Sequence, residues 1–278
     1  MTSRFVCAAL SSITAAYLTS ACSVQTTGVA SADPATPQLP IVTPEPPVDV
    51  ISALADLQDD LEAIEEDTGT QLGVSLDNGS VNAFIGQLET LPSWSTIKVP
   101  IALAAQDYCA FDDETISAMI KSSIEYSDNA SAWQLLNCVG QGDGVLADSR
   151  VSEDVARTGS TIDIHRTFGR SNWPIAAASH YAWYLSTLDE DNEVIVAMRN
   201  IAEEQSWGLG TLESTAFKGG WSGDRLDGSW HSRQMGFVRV DDTPLGIAIA
   251  SRSPEGSFTD TTDALDQLAA ALGEELGL

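Results

Sequence analysis

The apolar positions of this chain follow two periods, and the switches between them mark out the elements. Val50, Leu54, Leu57, Leu61 and Ile64 recur at steps of three and four, which puts them on one face of a helix that stops at Thr68-Gly69. Residues 71–76 and 81–88 then read as strands. Asp77-Asn78-Gly79 lies between them, and Asn and Gly tolerate the positive φ of a tight hairpin turn. From about Trp94 to Leu188 the period is helical again, with candidates at 95–107, 113–125, 130–139 and 174–188. Ser171 or Asn172 would cap the last of these, with Pro174 in its first turn. Strand patterns return at 216–221, 233–240 and 245–251, the last two joined by a turn at 241–244, and a helix at 261–276 closes the chain.

This order predicts an α+β fold, an α/β sandwich in which five antiparallel strands are flanked by the terminal helices and a helical lobe is inserted between the second and third strands. A cleft between lobe and sheet is the expected place for a site.

Before residue 49 the pattern is different. Arg4 followed by the apolar stretch Phe5–Leu18, too short to span a bilayer, reads as an export signal. Two processing points compete. Cys22, after Leu18-Thr19-Ser20-Ala21, resembles a bacterial lipobox and is favoured because the apolar run ends close to it, although Thr19 stands where a lipobox usually has Leu. Ala30-Ser31-Ala32 matches ordinary signal cleavage. Residues 23–48 are rich in Pro, Thr, Ala and Val without apolar periodicity and read as a tether. The expected organisation is a signal over 1–22, a tether over 23–48 and one domain over 49–278. Export would leave the protein on the outer face of the cell membrane through a lipid at Cys22, or secreted.

Composition narrows the choice. With 278 residues, 43% of them hydrophobic, the chain can bury a sizeable core. Its 40 acidic against 13 basic side chains give a net charge of -27, which repels nucleic acid and anionic headgroups and predicts a solvated surface. No nucleic-acid partner is expected, and the protein is expected to be a monomer. Only Cys109 and Cys138 lie within the folded part. In an oxidising compartment they suggest a disulfide, with two buried free thiols as the alternative. No Cys-x-x-Cys occurs and the three histidines are scattered, so neither metal nor cofactor is expected.

The chain has three lysines, Lys98, Lys121 and Lys218, and two of them stand in patterns that carry chemistry. Ser95-Thr96-Ile97-Lys98 sets a hydroxyl and an amine three residues apart at the start of a helix, facing the same way. A serine needs a base to become a nucleophile, and a lysine serves if burial or neighbouring cations lower its pKa. The helix N-terminus would favour an oxyanion, and Pro100 is tolerated so near the start. Ser127-Asp128-Asn129 precedes the helix at 130–139, where it also suits an ordinary cap. Lys218-Gly219-Gly220 lies on a strand, where glycines let a substrate backbone approach and the ammonium would hold an anion.

In this order the three motifs resemble those of class A β-lactamases and penicillin-binding proteins, SxxK, SDN and KTG. The resemblance extends through Val99-Pro100, Ala130-Ser131-Ala132, Leu135-Leu136 and Gly140, and covers the chain from about Asp49 onward. It implies a β-lactamase/transpeptidase-like fold and an acyl-serine enzyme. In that enzyme Ser95 attacks, Lys98 takes its proton, Ser127 relays a proton to the leaving nitrogen and Asn129 orients the substrate amide and Lys98. Lys218 supports Ser127 and attracts a carboxylate, and the N–H groups of Ser95 and Trp221 form the oxyanion hole. The implied partner is a β-lactam or a peptidoglycan-type peptide.

The pattern breaks in three places. Gly219 stands where the family has Thr or Ser, removing a hydroxyl from the carboxylate subsite. Arg233 could replace it or be a surface arginine, and His231 and Gln234 are weaker candidates. Between Gly140 and Trp173 the family's Glu-x-x-Leu-Asn is missing. Glu153, Asp154 and Asp163 are the acids there, and the segment carries His165, Arg166 and Phe168-Gly169 instead, so an acyl-enzyme is expected to persist or pass to another acceptor. The spacing from Ser95 to Ser127 is short for class A, which predicts a small helical lobe and an open cleft. A hydrolase or transferase and a binding protein that keeps only the fold are the two functional readings. β-Lactamase is narrowly favoured over transpeptidase or carboxypeptidase.

Overall fold

The computed structural model describes residues 48–160, 162, 164, 165 and 168–278. The signal, Cys22, all but the last residue of the tether, Asp163 and Arg166 lie outside the described residues.

The first predicted helix is two. α1 (Val50–Asp56) is capped by the Asp49 carboxylate, and the chain re-sets at Leu57 before α2 (Gln58–Thr68), which ends on Gly69 at φ 66°. Strands β1 (Gln71–Asp77) and β2 (Asn82–Gly86) form the predicted hairpin. β5 (Ala216–Gly223), β6 (Trp230–Val240) and β7 (Thr243–Ser253) complete one antiparallel sheet of order β2-β1-β7-β6-β5. β5 is therefore an edge strand.

The two faces of the sheet differ in side-chain size, and that sets what covers them. Leu72, Val74 and Leu76 of β1 and Leu245, Ile247 and Ile249 of β7 point to α1, α2 and the closing helix α9 (Phe258–Leu276), which is capped by Ser257. The opposite face carries small residues. A Cβ on Gly246 would stand 2.2 Å from the Ser179 carbonyl, so α7 (Ile175–Leu185) lies nearly backbone to backbone on β7. The Ser75 and Ser179 hydroxyls bond at 2.7 Å across that contact. α7 starts at Ile175 with Pro174 at its cap position, and no side chain caps it. Neither Ser171 nor Asn172 does so, because residues 172–174 are committed to a strand.

That strand belongs to a small ribbon whose two arms are too short to show a period in sequence, β3 (Thr90–Pro92) paired with β4 (Asn172–Pro174). The helical lobe holds α3 (Lys98–Tyr108), α4 (Asp113–Glu125), α5 (Asn129–Val139), α6 (Gly144–Ala156) and α8 (Glu193–Met198). α3 is buried all round from Lys98 to Ala105, as suits the central helix of a lobe. A disulfide joins Cys109, just past its end, to Cys138 of α5.

Candidate active site

Ser95 does not sit in the α-helix proper. It lies in a tighter 3-10 turn, Trp94–Ile97, which leads into α3 at Lys98. At three residues per turn, positions 95 and 98 eclipse, so the hydroxyl and the amine share a side. Pro100 costs nothing there, because the first N–H groups of a helix have no intrahelical partner. Trp94, immediately before Ser95, holds φ 46°, and Ser127 holds φ 55°. Left-handed conformations of this kind cost about 1–3 kcal/mol each and persist only where the surroundings impose them.

Ser127 is where the motifs meet. The Lys98 ammonium donates to the Ser127 carbonyl at 2.5 Å and to its hydroxyl at 3.1 Å. From the sheet side, Lys218 on β5 donates to the same hydroxyl at 3.2 Å and to the Gly219 carbonyl at 2.8 Å. Both amines are buried. Burial drives the Lys98 pKa down to about 8, with the Asp128 charge opposing, and drives Lys218 well below the usual lysine range, with Lys98 adding to the effect. Asp128 caps α5 through the Ser131 N–H at 2.7 Å, which, with the Ser131 hydroxyl and more weakly Lys98, keeps it a carboxylate.

Gly220 brings β5 against the nucleophile turn. A Cβ there would lie 2.5 Å from the Ser95 nitrogen and 2.9 Å from the Trp94 Cβ, so only glycine permits the approach. Trp221 follows it directly. On the other side Gly169 crosses the Trp94 carbonyl, and the Ser93 N–H donates to the Ser171 carbonyl at 2.7 Å. The segment before β4 is thereby stitched to the turn that carries Ser95.

Several expectations are corrected. Arg233 neither binds at the surface nor reaches toward the cleft. It is buried opposite Gly220, donates through Nη1 to the Leu91 and Trp173 carbonyls at 3.0 and 2.9 Å, and lies 5.9 Å from the Trp173 ring. It thus ties β6 to the ribbon, and desolvation lowers its pKa to about 9. The Gly219 carbonyl accepts from Lys218 at 2.8 Å, and a Cβ there would stand 3.3 Å from the Trp207 ring. Gln234 holds Trp207 in that place by donating to its carbonyl at 2.6 Å and accepting from the Leu209 N–H at 2.7 Å. His231 is buried and shares a hydrogen with Ser229 at 3.0 Å. Asn129, the first residue of α5, is exposed and makes no bond among the described residues to Lys98, whose ammonium donates to Ser127.

Of Glu153, Asp154 and Asp163, the two among the described residues are engaged elsewhere. Glu153 accepts from Tyr108 and Ser149, and Asp154 is buried against the Tyr181 hydroxyl, its pKa raised to about 6 by desolvation. Among the described residues no carboxylate hydrogen-bonds Ser95, Lys98 or Ser127.

Comparison with solved structures follows the same outline. A class A β-lactamase from Bacteroides cellulosilyticus superimposes with a TM-score of 0.63 at 14% identity, over 79% of this chain and 98% of its own. TLA-1 extended-spectrum β-lactamase gives 0.63 at 16%, over 80% and 98%. A β-lactamase from Desulfarculus baarsii gives 0.60 at 16%, over 83% and 99%. The fold is the β-lactamase fold. No family model matches the sequence, and no curated protein does. Trp207 has no motif around it, and only the three-dimensional contact with β5 shows its place.

Proposed function

We propose that this protein is an exported serine hydrolase or acyltransferase of the β-lactamase-like kind, acylated at Ser95 by β-lactams or peptidoglycan-type amides and slow to release the acyl group. The observation that carries the reading is the placing of two buried, pKa-lowered lysines on the one Ser127 hydroxyl.

The steps follow from that placing. Neutral Lys98 accepts the Ser95 proton as the oxygen bonds to the acyl carbon. The oxyanion forms against the Ser95 N–H, with Trp221 on β5 as the second donor. When the C–N bond breaks, Ser127 gives its proton to the departing nitrogen, and the proton held by Lys98 returns to Ser127. Two amines occupying the lone pairs of Ser127 leave its O–H pointed outward for that transfer. The regenerated neutral Lys98 then stands as the available base for an acceptor.

That the segment between Gly140 and Trp173 carries no Glu-x-x-Leu-Asn supports transfer to another acceptor, or a long-lived acyl-enzyme, over rapid hydrolysis. The Cys109–Cys138 bond agrees with an oxidising compartment, and Cys22 remains the proposed lipid site. Labelling with a fluorescent penicillin followed by peptide mapping tests the reading. The label is expected on the peptide containing Ser95 and absent from Ser95→Ala. Label on both proteins, or on neither, would overturn it.

A further inference from the structure

The edge strand β5 starts late. Its first residue, Ala216, pairs with Phe237, but β6 runs on to Val240 and is held there by β7 alone. Residues 238–240 therefore have, among the described residues, an edge with no strand beside it and backbone groups open on that side. A cavity of about 520 Å³ lies there, a size that suits a small organic ligand. The apolar part of its lining is Phe217, Phe237 and Val238, which are buried, with Ile201 and Leu212, which are partly exposed. None of Ser95, Lys98, Ser127 and Lys218 lines it, so it is separate from the site described above.

The charged residues of the lining are Arg199, just past α8, Arg239 of β6, and Glu190. Both arginine forks meet around that one glutamate. Arg199 donates to the Glu190 backbone carbonyl at 3.3 Å, and the Glu190 carboxylate stands 3.9 Å from Arg239. Arg239 also donates to the Asp242 carbonyl at 3.1 Å. These bonds use few of the five N–H donors that each guanidinium carries. Among the described residues no carboxylate comes closer to either arginine than Glu190, and that pair, 71% and 44% exposed, is worth little. Asp189, Asp191, Glu213, Asp241 and Asp242 adjoin the cavity in sequence without lining it. The rest of the chain's negative charge is screened over about 10 Å at 0.1 M salt. A ligand carboxylate taking the place of the Glu190 side chain would gain charge-assisted bonds from the forks while its apolar body left water against the phenylalanines.

We propose that this cavity is a second binding site, for a small amphipathic anion whose carboxylate is held by Arg199 and Arg239 and whose apolar ring or short chain covers Phe217, Phe237 and Val238. Glu190 marks the place of the carboxylate and competes for it. The site goes beyond the acyl-serine reading and stands whether or not Ser95 reacts.

The test titrates naphthoate and, as its neutral counterpart, naphthylmethanol into the protein by calorimetry. Naphthoate is expected to bind a single site at least about tenfold tighter than the alcohol. Arg199→Gln and Arg239→Gln, both at exposed side chains, are each expected to weaken naphthoate about fivefold while moving the alcohol less than about twofold. Glu190→Gln is expected to tighten naphthoate about threefold, a gain that no folding defect produces. Naphthoate affinity that neither arginine variant changes, or an alcohol that binds as tightly as the acid, would overturn the site. Binding of neither compound at about 1 mM would overturn it as well.

Discussion

The base role of Lys98 makes a prediction about pH that can be worked through. Its ammonium is buried at the start of α3, and desolvation brings its pKa to about 8. Only the neutral amine can accept the Ser95 proton, so acylation should track the deprotonated fraction. That fraction is about one half at pH 8, about a tenth at pH 7 and about a hundredth at pH 6. The rate constant for forming the adduct is therefore expected to fall about tenfold per unit below pH 7 and to level above about pH 9. Asp128 holds the pKa up by its charge, so Asp128→Asn, which still caps α5, should move the whole limb to lower pH. The assay is stopped-flow fluorescence of a reporter penicillin at saturating concentration, from pH 5.5 to 9.5. A rate that is flat over this range, or that falls as pH rises through 8, would refute Lys98 as the base. A limb that Asp128→Asn leaves in place would refute the assignment of its cause.

Other substitutions test the remaining parts. Gly220→Ala puts a methyl 2.5 Å from the Ser95 nitrogen and should cut labelling by about a hundredfold or more; wild-type labelling kinetics would contradict the close approach of β5. Arg233→Met strips the donor from the Leu91 and Trp173 carbonyls and should lower stability by roughly 2 kcal/mol in urea melts, without changing how acylation depends on substrate charge. An unchanged melt with a new dependence on substrate charge would restore Arg233 to the binding site. Cys109→Ser opens a loop of sequence separation 29, which the chain-entropy estimate values at about 3–4 kcal/mol, or a melting temperature roughly 10 °C lower; dithiothreitol should reproduce the shift in the wild type.

What could be read from the chain was what local chemistry governs. The steps of the apolar residues showed the five strands and the terminal helices, because each depends on a face repeated along one segment. Ser95, Lys98, Ser127 and Lys218 were legible because two of them share one turn and the others stand in short motifs. Arg233 was misplaced for the opposite reason. Its position opposite Gly220 follows from the register between β5 and β6, and whether it meets the cleft or the ribbon depends on strands three residues long that carry no period. Trp207 lies outside every strand and helix pattern, and its role arises from a bond with Gln234, 27 positions away. α6 escaped notice because its buried apolar positions are few, Ala147, Val151 and Val155.

The central claim is that Ser95 forms an acyl-enzyme that this site releases slowly. Intact-mass spectrometry of the domain mixed with a reporter penicillin, followed over hours beside Ser95→Ala, tests it most directly. The account predicts one adduct of the penicillin's mass, absent from the variant and still present after free penicillin is removed. No adduct, or one that Ser95→Ala also forms, would contradict the claim for the nucleophile, and an adduct that vanishes within a turnover of seconds would contradict the claim for slow release.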